Sequence, residues 1–254
     1  MDAGSSPLSN CGISLGSALV VDADELIMDG DSHHLLPPLR ELLIQYRSLL
    51  DGAVAVVSGL SLAEVDMAFT SNALPVIACT GYEACIPPDA PHLDPHPPGL
   101  HSFTARLTAH APELDRAEVK TIASGIEVRV FGPSRHIGPV SEYLRHIVHT
   151  VPDFQLYQRS NRFQIVPTAL RKRRLISTLQ RYPQFRDARI VFLGDNLPSG
   201  DAMRAVDAVG GVSMRVGEQF RSSDPAAPDW LTVIHWLKAQ EPRLCALHAH
   251  SDGF

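Results

Sequence analysis

Three short stretches of the chain are apolar without interruption: 18–21 (ALVV), 53–57 (AVAVV) and 190–193 (IVFL). Each runs straight into polar residues, respectively Asp22-Ala23-Asp24, Ser58-Gly59 and Gly194-Asp195-Asn196. Continuous runs rich in β-branched residues and bounded by turn residues predict strands buried on both faces of a parallel sheet. Helical spacing of apolar residues follows the first run at 39–50 and the third at 201–208, where Gly210-Gly211 supplies the stop. After the second run, Ser61 and Glu64 have the spacing of a capping box that opens a helix. The alternation of strand and helix predicts an α/β, Rossmann-like core with a parallel sheet.

The middle of the chain has another pattern. Residues 86–100 are crowded with proline and predict a linker. A helix over 103–114, an alternating strand over 126–131, a helix over 140–149 and two strands within 154–166, turning at Ser160-Asn161, then follow. This is α+β patterning inside an α/β frame. It predicts a core made of 1–83 and 168–254 with a smaller α+β domain, 84–167, inserted into it. The ends, 1–15 and about 242–254, are expected to be mobile.

Composition narrows the function classes. The 254 residues carry a formal net charge of −6, which gives no support for a nucleic-acid partner. No apolar run approaches the roughly 18 residues that a membrane span needs, and the start, MDAGSSPLSN, lacks the pattern of a signal peptide. A cytoplasmic setting is expected. The four cysteines form no C-x-x-C pair, and Cys79, at the end of an apolar run, is expected to be a buried thiol. The twelve histidines are dispersed, and neither the adjacent His33 and His34 nor His248 and His250 near the end have the i, i+4 spacing of a helical metal pair.

Ligands of parallel sheets sit at the carboxyl ends of the strands, where all three runs deliver Asp or Ser. Asp after a strand is by itself an ordinary turn residue. Three such placements at one edge point to a site. Asp22, Asp24 and Asp195 brought together repel: two charges ~4 Å apart at an effective dielectric near 20 cost about 4 kcal/mol. The cluster therefore calls for a cation, a lysine or a raised pKa. A hard, oxygen-liking ion fits, with magnesium leading, and it suits a phosphoryl substrate. One carboxylate then attacks phosphorus and the other moves the proton. Lys172, within the basic run 171–174, is the candidate for a phosphate oxygen.

D-x-D after a strand, Ser at the next strand end, a later Lys and then Gly-Asp is the motif order of the haloacid-dehalogenase superfamily. Within it the chain resembles the trehalose-6-phosphate phosphatases. VVSGLSLAEVDMAF is similar to their segment around S-G-R-S-x-x-E-L. IVFLGDNLPSGDAMRAVDAVGGVSMRVG is similar to their F-L-G-D-D-x-T-D-E-D-x-F segment and its continuation. Pro167 to Lys172 parallels K-P-x-x-x-x-K-G, and Gly81-Tyr82-Glu83 resembles the end of H-G-x-E. The resemblance spans roughly 17–235. It implies an Asp22 nucleophile that forms an aspartyl-phosphate, with Asp24 as general acid and base. Ser58, Gly59 and Lys172 would hold the phosphoryl oxygens, and magnesium would lie between Asp22, the Asp24 carbonyl and Asp195. The insert would be a cap over the sugar, carrying Glu118, Lys120 and Arg129.

The departures are specific. D-x-D-G-T reads Asp22-Ala23-Asp24-Glu25-Leu26, so Glu25 adds negative charge near the place of a dianion. The arginine of S-G-R is Leu60, the histidine of H-G-x-E is Thr80, and two carboxylates of G-D-D-x-T-D-E are replaced by Asn196 and Ser199. Losing such supporting groups costs ~10 to 100-fold in metal affinity or activity. Three readings therefore stand: a trehalose-6-phosphate phosphatase, a capped phosphatase for another sugar phosphate, and a non-catalytic module that binds a sugar phosphate or a partner trehalose-phosphate synthase.

Overall fold

The three apolar runs form adjacent parallel strands. The computed structural model describes residues 11–28, 30–69, 74–87, 92–93, 99–109, 111–168, 173–194, 200–217 and 226–251. In chain order the elements begin with β1 (Ser17–Asp22), α1 (Asp24–Met28), α2 (Leu36–Leu49), β2 (Val54–Val57), α3 (Leu62–Phe69), β3 (Val76–Ala78), β4 (Glu83–Cys85) and β5 (His92–Leu93). Then come α4 (Leu100–Thr108), β6 (Ala117–Ile122), β7 (Gly125–Val130), α5 (Ile137–His149), β8 (Phe154–Arg159) and β9 (Arg162–Pro167). The chain continues with α6 (Arg173–Leu179), α7 (Pro183–Arg186), β10 (Arg189–Gly194), α8 (Gly200–Ala208), β11 (Val212–Val216), β12 (Ala226–Ala227) and α9 (Trp230–Ser251).

Two compact units emerge, one made of 1–91 with 172–254 and the other of 92–171. The expected boundary at 84 falls within β4, which pairs antiparallel with β3 in the first unit's sheet. Within the first unit that sheet has the order β12-β11-β10-β1-β2-β3-β4, and β12 through β3 are parallel to their neighbours. β1 is fully covered on both faces, as are β2 and most of β10, which is why their sequences show no alternation. Ser61 and Glu64 do form the capping box: the Ser61 N–H donates to Glu64 Oε2 at 3.1 Å and the Glu64 N–H to Ser61 Oγ at 3.4 Å.

Two expectations are corrected. Up to Ser251 the expected mobile end is instead a helix, because α9 runs from Trp230 to Ser251 with Val233, Leu237 and Leu244 in the core, while 252–254 lie outside the described residues. The Tyr46 hydroxyl donates to the Leu237 carbonyl at 2.8 Å and ties α2 to this helix. That burial, with the Glu241 and Cys245 charges nearby, pushes the phenol well above its ordinary pKa. At the other end residues 1–10 lie outside the described residues, but Cys11 and Ile13 are in the core, and burial pushes the Cys11 thiol up to about 11. Next, the helix expected over 103–114 stops at Thr108, and 112–114 is a separate 3-10 turn. Pro112 has no N–H and disfavours helical backbone at Ala111, which adopts φ −110° and ψ 79°.

The second unit is an antiparallel sheet of order β6-β7-β9-β8. The hairpin turns at Ser160, at φ 52°. One face of the sheet carries Ile126, Val128, Phe163 and Ile165, which form a core with Leu100, Phe103 and Leu107 of α4 and Val140 and Leu144 of α5. Gly125 is fixed by this pairing, since a methyl there would lie 2.1 Å from the Ile165 carbonyl oxygen. Gly125→Ala should cost about 3 kcal/mol, through backbone displacement between β7 and β9. Urea denaturation measures it; an unchanged midpoint would contradict the β7–β9 packing.

Candidate active site

The carboxyl edge of the first sheet is where the chemistry collects. β1 and β2 are in register with Asp22 opposite Val57, so Asp22 and Ser58 emerge side by side. The Ala23 N–H bonds the Val57 carbonyl at 3.2 Å and brings the start of α1 against the end of β2. Asp22, Asp24 and Ser58 are 3%, 6% and 3% exposed, unusually low for groups of this polarity. Such burial requires hydrogen bonds, and they are present. Asp22 Oδ1 accepts the Asp24 N–H at 3.2 Å. Asp24 takes the Ser58 hydroxyl on Oδ1, and the Gly59 N–H lies 3.0 and 3.1 Å from its two oxygens. Ser58 Oγ in turn accepts the Leu60 N–H at 2.9 Å.

A strained turn supports this edge from β3. Cys79, Thr80 and Gly81 all have positive φ, at 46°, 57° and 95°. Two non-glycine residues in succession there, one β-branched, are costly and persist only where surrounding bonds hold them. The Cys79 N–H donates to the Leu60 carbonyl at 2.7 Å and the Thr80 N–H to the Ser58 carbonyl at 3.1 Å. Cys79 is fully buried, as the sequence predicts. Glu83 accepts the Leu62 N–H at 2.6 Å, placing a carboxylate at the start of α3. Burial pushes the Asp66 carboxyl up, and burial together with the Asp66 charge pushes up the Cys85 thiol.

Asp22, Asp24, Ser58 and Gly59 are thus brought together. β10 pairs in parallel with β1, with Val21 opposite Leu193, so Gly194 ends at the same edge. A methyl on Gly194 would lie 3.0 Å from the Asp22 Cβ. Asp195 and Lys172 lie outside the described residues, as do Asn196 and Ser199. Glu25 points to the Trp230 indole, whose N–H donates to Glu25 Oε2 at 3.2 Å. Among the described residues no group of three or more His, Cys, Asp or Glu side chains could hold a metal ion. The donors that Asp22 and Asp24 offer are all oxygen, which suits a hard cation.

In the second unit Glu118 pairs with Arg129 and Lys120 with Glu127 across β6 and β7, so all four side chains project from one face. Glu118, Lys120 and Arg129 are exposed. Glu127 is 8% exposed, with Arg162 Nη1 at 3.4 Å from its carboxylate. The sequence reading missed Glu127, although the alternation of IEVRV puts it on the same face as Arg129. An open depression of about 450 Å³ beside Glu118 is lined also by Asp115, Arg116 and Phe131. The Arg129 guanidinium lies 5.6 Å from the Phe131 ring centroid.

Comparisons with known proteins agree with this architecture. No family model matches the chain. It is 22% identical to a probable trehalose-phosphate phosphatase of Sinorhizobium fredii over 212 residues, which cover 82% of this chain and 80% of that one. Its fold is similar to the C-terminal domain of the Candida albicans trehalose-6-phosphate phosphatase, with a TM-score of 0.73 at 12% identity, over 93% of this chain and 95% of that one. A haloalkanoate-superfamily phosphatase of Bacteroides thetaiotaomicron matches with a TM-score of 0.59 at 16% identity, over 94% and 99%. The fold is that of the haloacid-dehalogenase phosphatases. In sequence the chain resembles the trehalose-phosphate phosphatases.

Proposed function

We propose that the chain is a cytoplasmic phosphatase of trehalose biosynthesis that releases phosphate from trehalose 6-phosphate. The observation that carries this is the buried Asp22, Asp24, Ser58 and Gly59 cluster at the carboxyl edge of a haloacid-dehalogenase-type sheet. Asp22 attacks phosphorus, and the bond to the sugar oxygen breaks as an aspartyl-phosphate forms. Asp24 gives the leaving oxygen a proton, then takes one from the water that attacks the aspartyl-phosphate. The Ser58 hydroxyl turns from Asp24 to a phosphoryl oxygen, joined by the Lys172 ammonium, while the Gly59 N–H keeps Asp24 oriented. Asp22, the carbonyl of Asp24 and Asp195 would hold a magnesium ion, which when bound offsets the negative charge of the incoming phosphoryl group. The inserted unit acts as the cap that selects the sugar, through Glu118, Lys120, Arg129 and, we add, Glu127.

Phosphate release from trehalose 6-phosphate, beside a panel of other sugar phosphates, tests the reading. Chelation of magnesium should abolish release, and excess magnesium should restore it. Absence of turnover across the panel with magnesium present would sink the enzyme reading.

One observation favours a second reading. The Ser58 hydroxyl and Gly59 N–H, both candidates for phosphate, are donated to Asp24. A module that keeps these bonds binds a sugar phosphate, or a partner trehalose-phosphate synthase, without hydrolysis. Calorimetric binding of trehalose 6-phosphate without phosphate release would identify it.

A further inference from the structure

Glu25 adds a carboxylate one residue after Asp24, beside the place the proposed reaction gives to a dianion. Its neighbours draw the two carboxylates apart. Asp24 is bonded to Ser58 and Gly59, just past β2 on one side of β1. Glu25 is bonded to Trp230, which lies three residues past the end of β12. In the sheet order β12 stands on the other side of β1, beyond β10 and β11, and all these pairings are parallel. Trp230 therefore reaches the carboxyl edge from the side opposite Ser58. The indole is 4% exposed, and its position is set by the start of α9, where Asp229 caps the helix by accepting the Thr232 N–H at 2.7 Å. Hydrogen bonds from the Thr232 hydroxyl and, secondarily, from its N–H hold the Asp229 carboxyl below its usual pKa.

Resting on the phosphatase reading, we propose that Trp230 is a positioning residue for phosphate binding: its indole N–H holds the Glu25 carboxylate away from the phosphoryl pocket. A tryptophan offers a donor without an acceptor, so the bond survives only with an oxygen facing it. Without the indole N–H, the half-buried carboxylate loses its partner and its charge acts on the incoming phosphate.

Calorimetric titration of the full chain with inorganic phosphate in magnesium tests this, together with steady-state kinetics. Trp230→Phe should weaken phosphate binding about tenfold and raise KM by a similar factor, with kcat changing less than threefold or so. Adding Glu25→Gln to Trp230→Phe should bring phosphate affinity back to within about threefold of the wild type. A Trp230→Phe protein that binds phosphate as tightly as the wild type overturns the proposal. So does a double variant that stays as weak as the single one, since the loss then comes from damaged packing. A wild type that neither binds phosphate nor releases it removes the phosphatase reading, and this inference with it.

Discussion

Asp22→Asn should lower phosphate release by at least about 10³-fold while the protein stays folded, because an amide cannot take the place of a carboxylate nucleophile. Asn keeps the size of Asp and the Oδ1 that accepts the Asp24 N–H at 3.2 Å. The site is 3% exposed, so a change of charge there bears on stability as well as on chemistry. If the two aspartates repel each other, the variant will melt at the wild-type temperature or above it. Phosphate release and a thermal melt on the same preparation decide both points. Residual activity within tenfold of the wild type would remove Asp22 from the nucleophile's role.

Gly194→Ala should cost about 100-fold in kcat/KM, with a loss of about 1–3 kcal/mol in stability. The added methyl would meet the Phe192 ring at 2.9 Å and the Asp22 Cβ at 3.0 Å. The ring can turn, but Asp22 is held on β1 between β2 and β10. The strain therefore falls on the carboxylate. Kinetics and denaturation of the variant measure the two effects separately, and wild-type values for both would show that the ring absorbs the methyl.

The core of the fold was legible because burial on both faces leaves a simple sequence signature: the runs at 18–21 and 190–193 sit in β1 and β10, and all of the run at 53–57 but Ala53 forms β2. The capping box at Ser61 was legible because its chemistry is local. What escaped depends on partners distant in the chain. The helix after Trp230 takes its apolar stripe from a core that α2 also builds, as the Tyr46–Leu237 hydrogen bond shows. Pro242 lies inside this helix, with Leu237 and Leu244 buried on either side of it. At the site, D-x-D and Ser-Gly were visible as motifs. The donation of Ser58 to Asp24 and the turning of Glu25 to Trp230 span dozens to hundreds of positions, and no local pattern encodes them.

The first unit is written in two pieces, and β1 stands between an early strand and a late one. On the ribosome β1 can pair with β2 almost at once, but its β10 side stays an open edge until β10, which starts at Arg189, has emerged. At about 5–20 residues per second that wait, from Val57 to Arg189, lasts roughly seven to twenty-six seconds. The insert, contiguous and rich in hairpins, can fold during the interval. An exposed apolar edge of that lifetime invites a chaperone or a neighbouring nascent chain. Yield in cells should therefore respond to translation speed and chaperone supply more than the stability of the finished protein would suggest.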